Sequence, residues 1–159
     1  MAKKSKQSKI LPIYILNGPN LNLLGHRQPE VYGTTTLAQI EGMCARQAKT
    51  HGLSIVFRQS NREGEIVDHL QEARTAGAAV IINPAGYGHT SIAILDSIQA
   101  LTIPVIEVHL SNIHRREPYR NHSYVSKGAT GIVMGLGAQG YLRAVDAVAE
   151  ILSSKSRSK

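Results

Sequence analysis

Residues 78–88, with the sequence AAVIINPAGYG, join an almost wholly apolar run to a sharp turn. A short run that is apolar at successive positions is typical of a β-strand buried on both faces, as in a parallel sheet covered by helices. Similar runs occur at 10–17, 53–59, 103–109 and 131–134. The sequence therefore favours a parallel sheet of five strands.

Segments with helical periodicity lie between and after these runs, at 36–51, 60–76, 89–101 and 138–152. Right-handed crossovers through such helices cover both faces of the sheet. We therefore predict a three-layer α/β fold, a flavodoxin-like doubly wound sheet of five parallel strands. The length of 159 residues suits one domain, which we place at residues 10–152 and interpret as catalytic for the reasons given below.

The flanking segments 1–9 and 153–159 are basic and contain no acidic residue, and we predict that both are disordered tails. They hold seven of the 18 basic residues, so the 11 that remain balance the 11 acidic residues of the chain. The net charge of +7 therefore lies in the tails, and the domain has no extended basic surface for a nucleic acid.

Cys44 is the single cysteine, which excludes an internal disulfide and is compatible with a reducing compartment. It shares a helical face with Leu37, Ile40, Met43 and Ala48, so we expect a buried thiol with no catalytic role. No apolar run approaches the roughly 20 residues needed to cross a bilayer. We therefore expect a soluble, cytoplasmic protein with no membrane partner.

Polar side chains follow three of the predicted strands: Asn17, Asn20, Asn83, His109 and Ser111. A doubly wound sheet binds its ligand outside the carboxyl ends of its strands, where the strand order reverses. Any one of these side chains could serve only to hold a loop backbone by hydrogen bonds. Because several converge on one edge of the sheet, the pattern predicts a binding site there.

The sequence GLGAQG at 135–140 matches the dinucleotide-binding fingerprint GxGxxG and lies between a strand and a helix. A Rossmann site also needs a further strand and an acidic residue about 20 positions on, whereas this helix leads into the basic tail. Close packing of the helix on the sheet is the favoured interpretation. A nucleotide-binding or nucleic-acid-binding flavodoxin-like module is the alternative function.

The residue spacing argues against a metal, a cofactor and a nucleophilic serine. The histidines at 109, 114 and 122 lack the spacing of a zinc site, and no carboxylate cluster offers oxygen ligands. Ser111 does not lie in the GxSxG pattern of a nucleophile elbow. We therefore expect acid-base chemistry that uses neither metal nor cofactor.

Residues 18–35, called the lid below, carry two prolines and three glycines and are longer than an ordinary connection, which favours a functional lid. The lid contains Tyr32, a candidate base, and Arg27, a cation that could favour its phenolate. His109 can donate or accept a proton near neutral pH. Three arginines after it, at 115, 116 and 120, could clamp a carboxylate.

Several segments together resemble the type II 3-dehydroquinate dehydratases of the shikimate pathway, over about residues 10–152. They are NGPNLNLLG (17–25), SNREGE (60–65), NPAGYGHTS (83–91), PVIEVHLSNIHRREPYRNHS (104–123) and GLGAQGY (135–141), together with Arg27 and Tyr32 in the lid. The resemblance implies a hydro-lyase of aromatic amino acid biosynthesis. Its reaction is the reversible anti elimination of water from 3-dehydroquinate, through an enolate, to 3-dehydroshikimate without a cofactor.

The resemblance also implies roles for individual residues. Tyr32 matches the proton acceptor, Arg27 the residue that keeps it ionised, and His109 the proton donor. Asn20 matches the residue that stabilises the enolate, and Glu107 the partner that orients the histidine. The substrate-binding set comprises Asn83, His89, Leu110, Ser111, Arg116 and Arg120, with Asp96 reaching the site of a neighbouring subunit in a dodecamer, a tetramer of trimers.

This chain departs from the family pattern at a few positions. Gly88 stands where threonine is more usual, Arg62 where histidine is, and the pair Ala85 and Gly86 is often reversed. None of these positions belongs to the acid-base set. We expect Gly88 to loosen the turn that presents His89 and to affect substrate affinity rather than the reaction.

Overall fold

The computed structural model describes residues 10–157, in which five parallel strands form one sheet in the order β2-β1-β3-β4-β5. The strands are β1 (Ile13–Asn17), β2 (Ile55–Gln59), β3 (Ala79–Asn83), β4 (Val105–His109) and β5 (Gly131–Met134). The helices are α1 (Pro29–Tyr32), α2 (Leu37–Thr50), α3 (Glu63–Ala76), α4 (Ile92–Gln99) and α5 (Gln139–Arg157). The predicted fold class and strand number are confirmed. The predicted tail at 1–9 lies outside the described residues.

Helices cover both faces of the sheet, which gives the three predicted layers. On one face, α2 and α5 pack together and bury Ile40, Cys44 and Val145 against the strands. On the other face, α3 and α4 bury Leu70 and Ile98. The expected burial of Cys44 is confirmed, and burial raises the pKa of its thiol to about 12, so the thiol stays protonated and unreactive at neutral pH.

Helix α4 begins later than the periodicity predicts. The predicted helix covers 89–101, but His89 is the last residue of a 3₁₀ turn at Ala85–His89, and α4 begins only at Ile92. The Ser91 hydroxyl accepts a hydrogen bond from the backbone N–H of Ile94. The hydroxyl cap fixes the start of the helix at this point. His89 consequently lies in the tighter turn rather than on the helix.

Helix α3 likewise begins at Glu63 rather than at Ser60. The Ser60 hydroxyl accepts from the backbone N–H of Arg62 and donates to the Glu65 carboxylate, at 2.9 and 2.5 Å, so it closes a local turn before the helix. The predicted end at Ala76 is confirmed.

Helix α5 is longer than predicted, and the expectation of disorder from residue 153 is wrong as far as Arg157. The hydroxyls of Ser153 and Ser154 both donate to the Glu150 carbonyl, at 3.0 and 2.6 Å. Lys155 and Arg157 lie in the last turn, where positive charge complements the helix dipole. A composition that suggested a solvated tail therefore continues the helix.

The strand order reverses between β1 and β3, which are neighbours in the sheet. Their last residues, Asn17 and Asn83, are paired in register, so both asparagines reach the same edge. β4 ends beside them at His109. The carboxyl ends of β1, β3 and β4 thus meet where a doubly wound sheet binds its ligand. Within residues 10–157, no helix combines the length and apolar character needed to cross a membrane.

Candidate active site

A cavity of about 140 Å³ opens at this edge of the sheet, between the lid and the loop that follows β4. Ten of the residues chosen from sequence line it: Asn20, Arg27, Tyr32, Asn83, His89, His109, Leu110, Ser111, Arg116 and Arg120. The lining contains three arginines and no acidic residue. Because the cavity wall is cationic, it suits a small anion such as a carboxylate.

The floor of the cavity is His109, the last residue of β4, whose Nε2 lies 2.7 Å from the buried carboxylate of Glu107. Residues two apart on a strand face the same side, which brings the two side chains together. The hydroxyls of Ser123 and Ser126 also donate to this carboxylate, the first at 2.5 Å and the second through a very short hydrogen bond. Glu107 therefore binds the end of the following loop to the sheet.

Two opposing effects act on the Glu107 carboxyl. Burial on its own raises the pKa of this group, but hydrogen bonds from His109, Ser123 and Ser126 outweigh the burial and hold the pKa of Glu107 below its usual value. The group is therefore an ionised acceptor at neutral pH. Since a carboxylate only accepts, the hydrogen between the two groups belongs to Nε2, and Nδ1 is the nitrogen of His109 left for a ligand.

Another wall of the cavity belongs to the lid, which contains a 3₁₀ turn at Leu21–Leu23 and the one-turn helix α1 ending at Tyr32. The Tyr32 hydroxyl accepts a hydrogen bond of 2.9 Å from Nη1 of Arg116. The guanidinium carbons of Arg27 and Arg116 lie 5.8 and 5.3 Å from the centre of the tyrosine ring. Two cations thus flank the phenol, and the one in hydrogen-bond contact is Arg116 rather than Arg27.

His89 reaches the cavity from the 3₁₀ turn after β3, and its ring stacks on that of His109 with 6.4 Å between centroids. Its Nδ1 donates to the backbone carbonyl of His122, and the His122 ring bonds to the His89 carbonyl in return. The pKa of His89 is lowered, mainly by burial. The hydrogen bond to the His122 carbonyl raises the pKa, but the nearby charges of His109, Arg120 and His122 lower it further. A neutral His89 can bind a hydroxyl group of a ligand.

The turn after β3 is packed, contrary to the expectation that Gly88 loosens it. Gly88 is buried, and a Cβ atom placed on it would lie 2.9 Å from Pro84 and 3.2 Å from the Ser123 hydroxyl. The Gly88 carbonyl also accepts the backbone N–H of Tyr124 at 2.7 Å. The glycine therefore permits a close approach between this turn and the loop that holds Glu107.

The glycine-rich motif at 135–140 has a structural role. The N–H groups of Gly135 and Gly137 donate to the carbonyls of His109 and Leu110, at 3.2 and 3.0 Å, so these donors are already occupied within the protein. A Cβ atom on Gly140 would contact Val133 and Val108, which shows how closely α5 approaches the sheet. The motif holds the end of β4 in place, and the nucleotide-binding alternative gains no support.

The family model described as "Dehydroquinase class II" matches residues 11–149. The chain belongs to the class II dehydroquinase family. A curated relative named 3-dehydroquinate dehydratase, from Streptomyces coelicolor, is 56% identical over 146 residues, which cover 91% of this chain and 93% of the relative. The resemblance stated from the sequence motifs is confirmed.

Solved structures of class II dehydroquinases share the fold. The type II dehydroquinase of Propionibacterium acnes superposes with a TM-score of 0.85 at 41% identity, covering 88% of this chain and 97% of that one. The type II dehydroquinase of Butyrivibrio crossotus gives a TM-score of 0.85 at 36% identity, covering 87% and 97%.

Two of the chosen residues do not line the cavity of this class II dehydroquinase. Glu107 lies behind His109 with no exposed surface. Asp96 is exposed on α4, outside the residues that line the cavity. Across residues 10–157, no three His, Cys, Asp or Glu side chains come together in a way that could hold a metal ion.

Sequence reasoning did not assign roles to Ser123, Ser126, Glu117 and Tyr141. The first two bind Glu107, while Glu117 accepts a hydrogen bond of 3.0 Å from Arg120 and lies 3.6 Å from Arg116. The spacing of Glu117 between two arginines was a usable signal. No local pattern marks the other three, because their partners are distant along the chain.

Proposed function

We propose that this class II dehydroquinase dehydrates 3-dehydroquinate to 3-dehydroshikimate, reversibly and by anti elimination, in the shikimate pathway. The observation that supports it most is that one cationic cavity carries a phenol beside a guanidinium on one wall and an imidazole beside a carboxylate on another. An elimination next to a ketone needs one base and one acid at such separate positions.

Tyr32, as a phenolate, removes the proton next to the ketone of the substrate. The guanidinium groups of Arg116 and Arg27 stabilise the negative charge on the phenol oxygen before the proton is taken. Closure of the lid excludes water and strengthens this attraction. The lid thus supplies the base together with the cations that activate it.

The resulting enolate is stabilised by hydrogen bonds from Asn20 and bound water. His109, which enters this step with a second proton on Nδ1, then gives that proton to the departing hydroxyl group, so water leaves and the imidazole becomes neutral. Asn20 lines the cavity, and its backbone N–H is anchored to the Asn61 side chain at 2.9 Å. Glu107 fixes the orientation of the imidazole. Asn83, His89, Ser111, Arg116 and Arg120, with the backbone of Leu110, bind the carboxylate and hydroxyl groups of the substrate.

The proposal extends to assembly and location. Asp96 is exposed and does not line the cavity of its own chain, which supports its reaching the site of a neighbouring subunit in a dodecamer built from trimers. We place the enzyme in the cytoplasm. Light scattering on the purified protein tests the assembly, and a monomer with full activity would contradict it.

The decisive experiment is to add 3-dehydroquinate and record the ultraviolet absorbance of the conjugated enone product. A parallel reaction with borohydride separates this mechanism from an imine mechanism. A phenolate base leaves no lysine attached to substrate, so borohydride should neither inactivate the enzyme nor add substrate mass. A lysine adduct trapped by borohydride would contradict the phenolate mechanism even if the protein formed 3-dehydroshikimate.

A further inference from the structure

The hydroxyl group of Tyr141 joins the ends of two strands beneath the cavity. Tyr141 lies in the first turn of α5 and has no exposed surface. Its hydroxyl donates to Oδ1 of Asn17 at 2.7 Å and accepts from Nδ2 of Asn83 at 2.9 Å. The two asparagines are paired in register at the ends of β1 and β3, where the strand order reverses.

These contacts select one orientation for each amide. The Asn17 amide nitrogen donates to the Arg58 carbonyl at 3.0 Å, so its oxygen is the atom that faces Tyr141. The hydroxyl proton is then committed to Asn17, and only a donor can face the hydroxyl from the other side. Asn83 therefore presents Nδ2 to Tyr141, while its Oδ1 accepts the backbone N–H of Ala85 at 3.1 Å.

Burial raises the pKa of Tyr141 above its ordinary value, so the hydroxyl keeps its proton at neutral pH. The chain of hydrogen bonds from Arg58 through Asn17 and Tyr141 to Asn83 therefore has a fixed direction. Asn83 lines the cavity, whereas Tyr141 and Asn17 do not. One residue of α5 thus sets the orientation of an amide at the ligand site.

We propose that Tyr141 is a positioning residue for substrate binding, which orients the Asn83 amide from behind so that its remaining hydrogen-bonding capacity meets a hydroxyl or carboxylate oxygen of the substrate. The inference rests on the proposed function. It assigns the hydroxyl to binding rather than to the acid-base steps, since the hydroxyl bonds to Asn17 and Asn83 and to neither Tyr32 nor His109.

The test is Tyr141→Phe, which removes the hydroxyl and keeps the ring. We expect KM for 3-dehydroquinate to rise about tenfold, the order of effect of one lost hydrogen bond, with kcat within about threefold of the wild type. Tyr14→Phe is the matched control, because Tyr14 is also buried and its hydroxyl donates to Glu72 at 2.8 Å on the opposite face of the sheet. The control should lose stability without a change in KM.

A double-mutant cycle with Asn83→Ala separates positioning from general loosening. If Tyr141 acts through Asn83, the double variant should have the KM of Asn83→Ala alone. Independent effects that multiply would overturn the proposal. If Tyr141→Phe does not fold, Asn17→Ala releases the same hydroxyl, and an unchanged KM in that folded variant would overturn it as well.

Different results would contradict the proposed function and the role of Tyr141. A wild-type protein that forms no enone from 3-dehydroquinate contradicts the proposed function. An active wild type in which Tyr141→Phe leaves KM unchanged, at a temperature where both proteins are folded, contradicts only the role of Tyr141.

Discussion

The two walls of the active site are built in opposite ways. His109 and Glu107 lie on β4, an interior strand, at 4% and 0% exposure, and two serines complete the hydrogen bonds of the carboxylate. Tyr32 lies in the lid, is partly exposed, and has one hydrogen bond to its hydroxyl, from an arginine of another loop. We call these the sheet wall and the lid wall.

The difference indicates how the site divides its tasks. In the proposed mechanism the sheet wall donates the proton, and apart from Nδ1 of His109 its groups are packed and hydrogen-bonded before any ligand enters. The lid wall has less packing and includes left-handed backbone at Asn20 and Gln28, with φ of 67° and 41°. Segments that close over a substrate are drawn from such weakly stabilised parts of a fold. Substitutions on the two walls should therefore fail in different ways.

The largest effect is expected for Tyr32→Phe on the lid wall. Turnover should fall at least about 100-fold, the contribution of a general base. The free energy of unfolding should change by less than about 0.5 kcal/mol, because a partly exposed hydroxyl with one partner contributes little to stability. Steady-state kinetics and urea denaturation measure the two quantities. Near-normal turnover would rule out Tyr32 as the base.

Ser126→Ala on the sheet wall should affect both stability and activity. The substitution removes a hydrogen bond to the buried Glu107 carboxylate and should lower the free energy of unfolding by about 1.5 to 3 kcal/mol. Turnover should fall with it, since His109 depends on that carboxylate. Ser97→Ala is the control, because Ser97 only donates to a carbonyl within α4. Equal stability losses in the two variants would contradict the special role of the Glu107 cluster.

The two cations of the lid wall should be unequal. Arg116→Ala removes the group that donates to the Tyr32 hydroxyl, whereas Arg27→Ala removes one that lies over the ring. We expect Arg116→Ala to lower turnover by about tenfold more than Arg27→Ala does, because only Arg116 donates a hydrogen bond to the oxygen that carries the negative charge. Steady-state kinetics of both variants decide this, and a larger loss in Arg27→Ala would reverse the assignment.

Acid should weaken the sheet wall in particular. Hydrogen bonds hold the pKa of Glu107 below its usual value despite burial, so the folded state binds this proton less readily than the unfolded chain. The stability from Glu107 is therefore present above about pH 4.3, the usual glutamate pKa, and is lost as the pH falls through the lower folded value. We expect the free energy of unfolding to fall less steeply between about pH 6 and pH 3 in Glu107→Gln than in the wild type, as measured by urea denaturation at each pH.

Asp146 provides a partly exposed carboxylate to compare with the buried Glu107 in the same experiment. Burial raises the pKa of Asp146, but hydrogen bonds from His51 and Gln47 outweigh it and lower the pKa overall. This carboxylate is 30% exposed, so solvent screens its interactions. Asp146→Asn should therefore reduce the loss of unfolding free energy between about pH 6 and pH 3 by less than Glu107→Gln does. An equal effect would mean that the buried cluster has no special sensitivity.

The sequence predicted which residues meet on each wall better than it predicted their contacts, for a physical reason. The ends of the predicted strands place Asn83 and His109 at one edge of the sheet, whereas Glu107 was assigned from the family resemblance and the two serines that bind it were missed. The contact between Arg116 and Tyr32 joins residues 84 positions apart across two irregular loops. No periodicity describes such loops, and Tyr141 was missed for the same reason, since its partners lie on β1 and β3.

The smallest effect is expected at Ala85, in the turn between the walls. The family often has glycine at position 85, where this chain has alanine. Ala85 has a φ of +50°, in the left-handed region that favours glycine. A side chain in that region costs about 1 to 2 kcal/mol, and glycine gives back about 0.4 to 1 kcal/mol through the freer unfolded chain. Ala85→Gly should therefore raise the free energy of unfolding by up to about 1.6 kcal/mol. Ala45→Gly, at an exposed position inside α2, should lower it by about 0.5 to 1 kcal/mol. Urea denaturation of the two variants side by side tests the sign, and a loss at Ala85 as large as that at Ala45 would show that the turn carries no backbone strain.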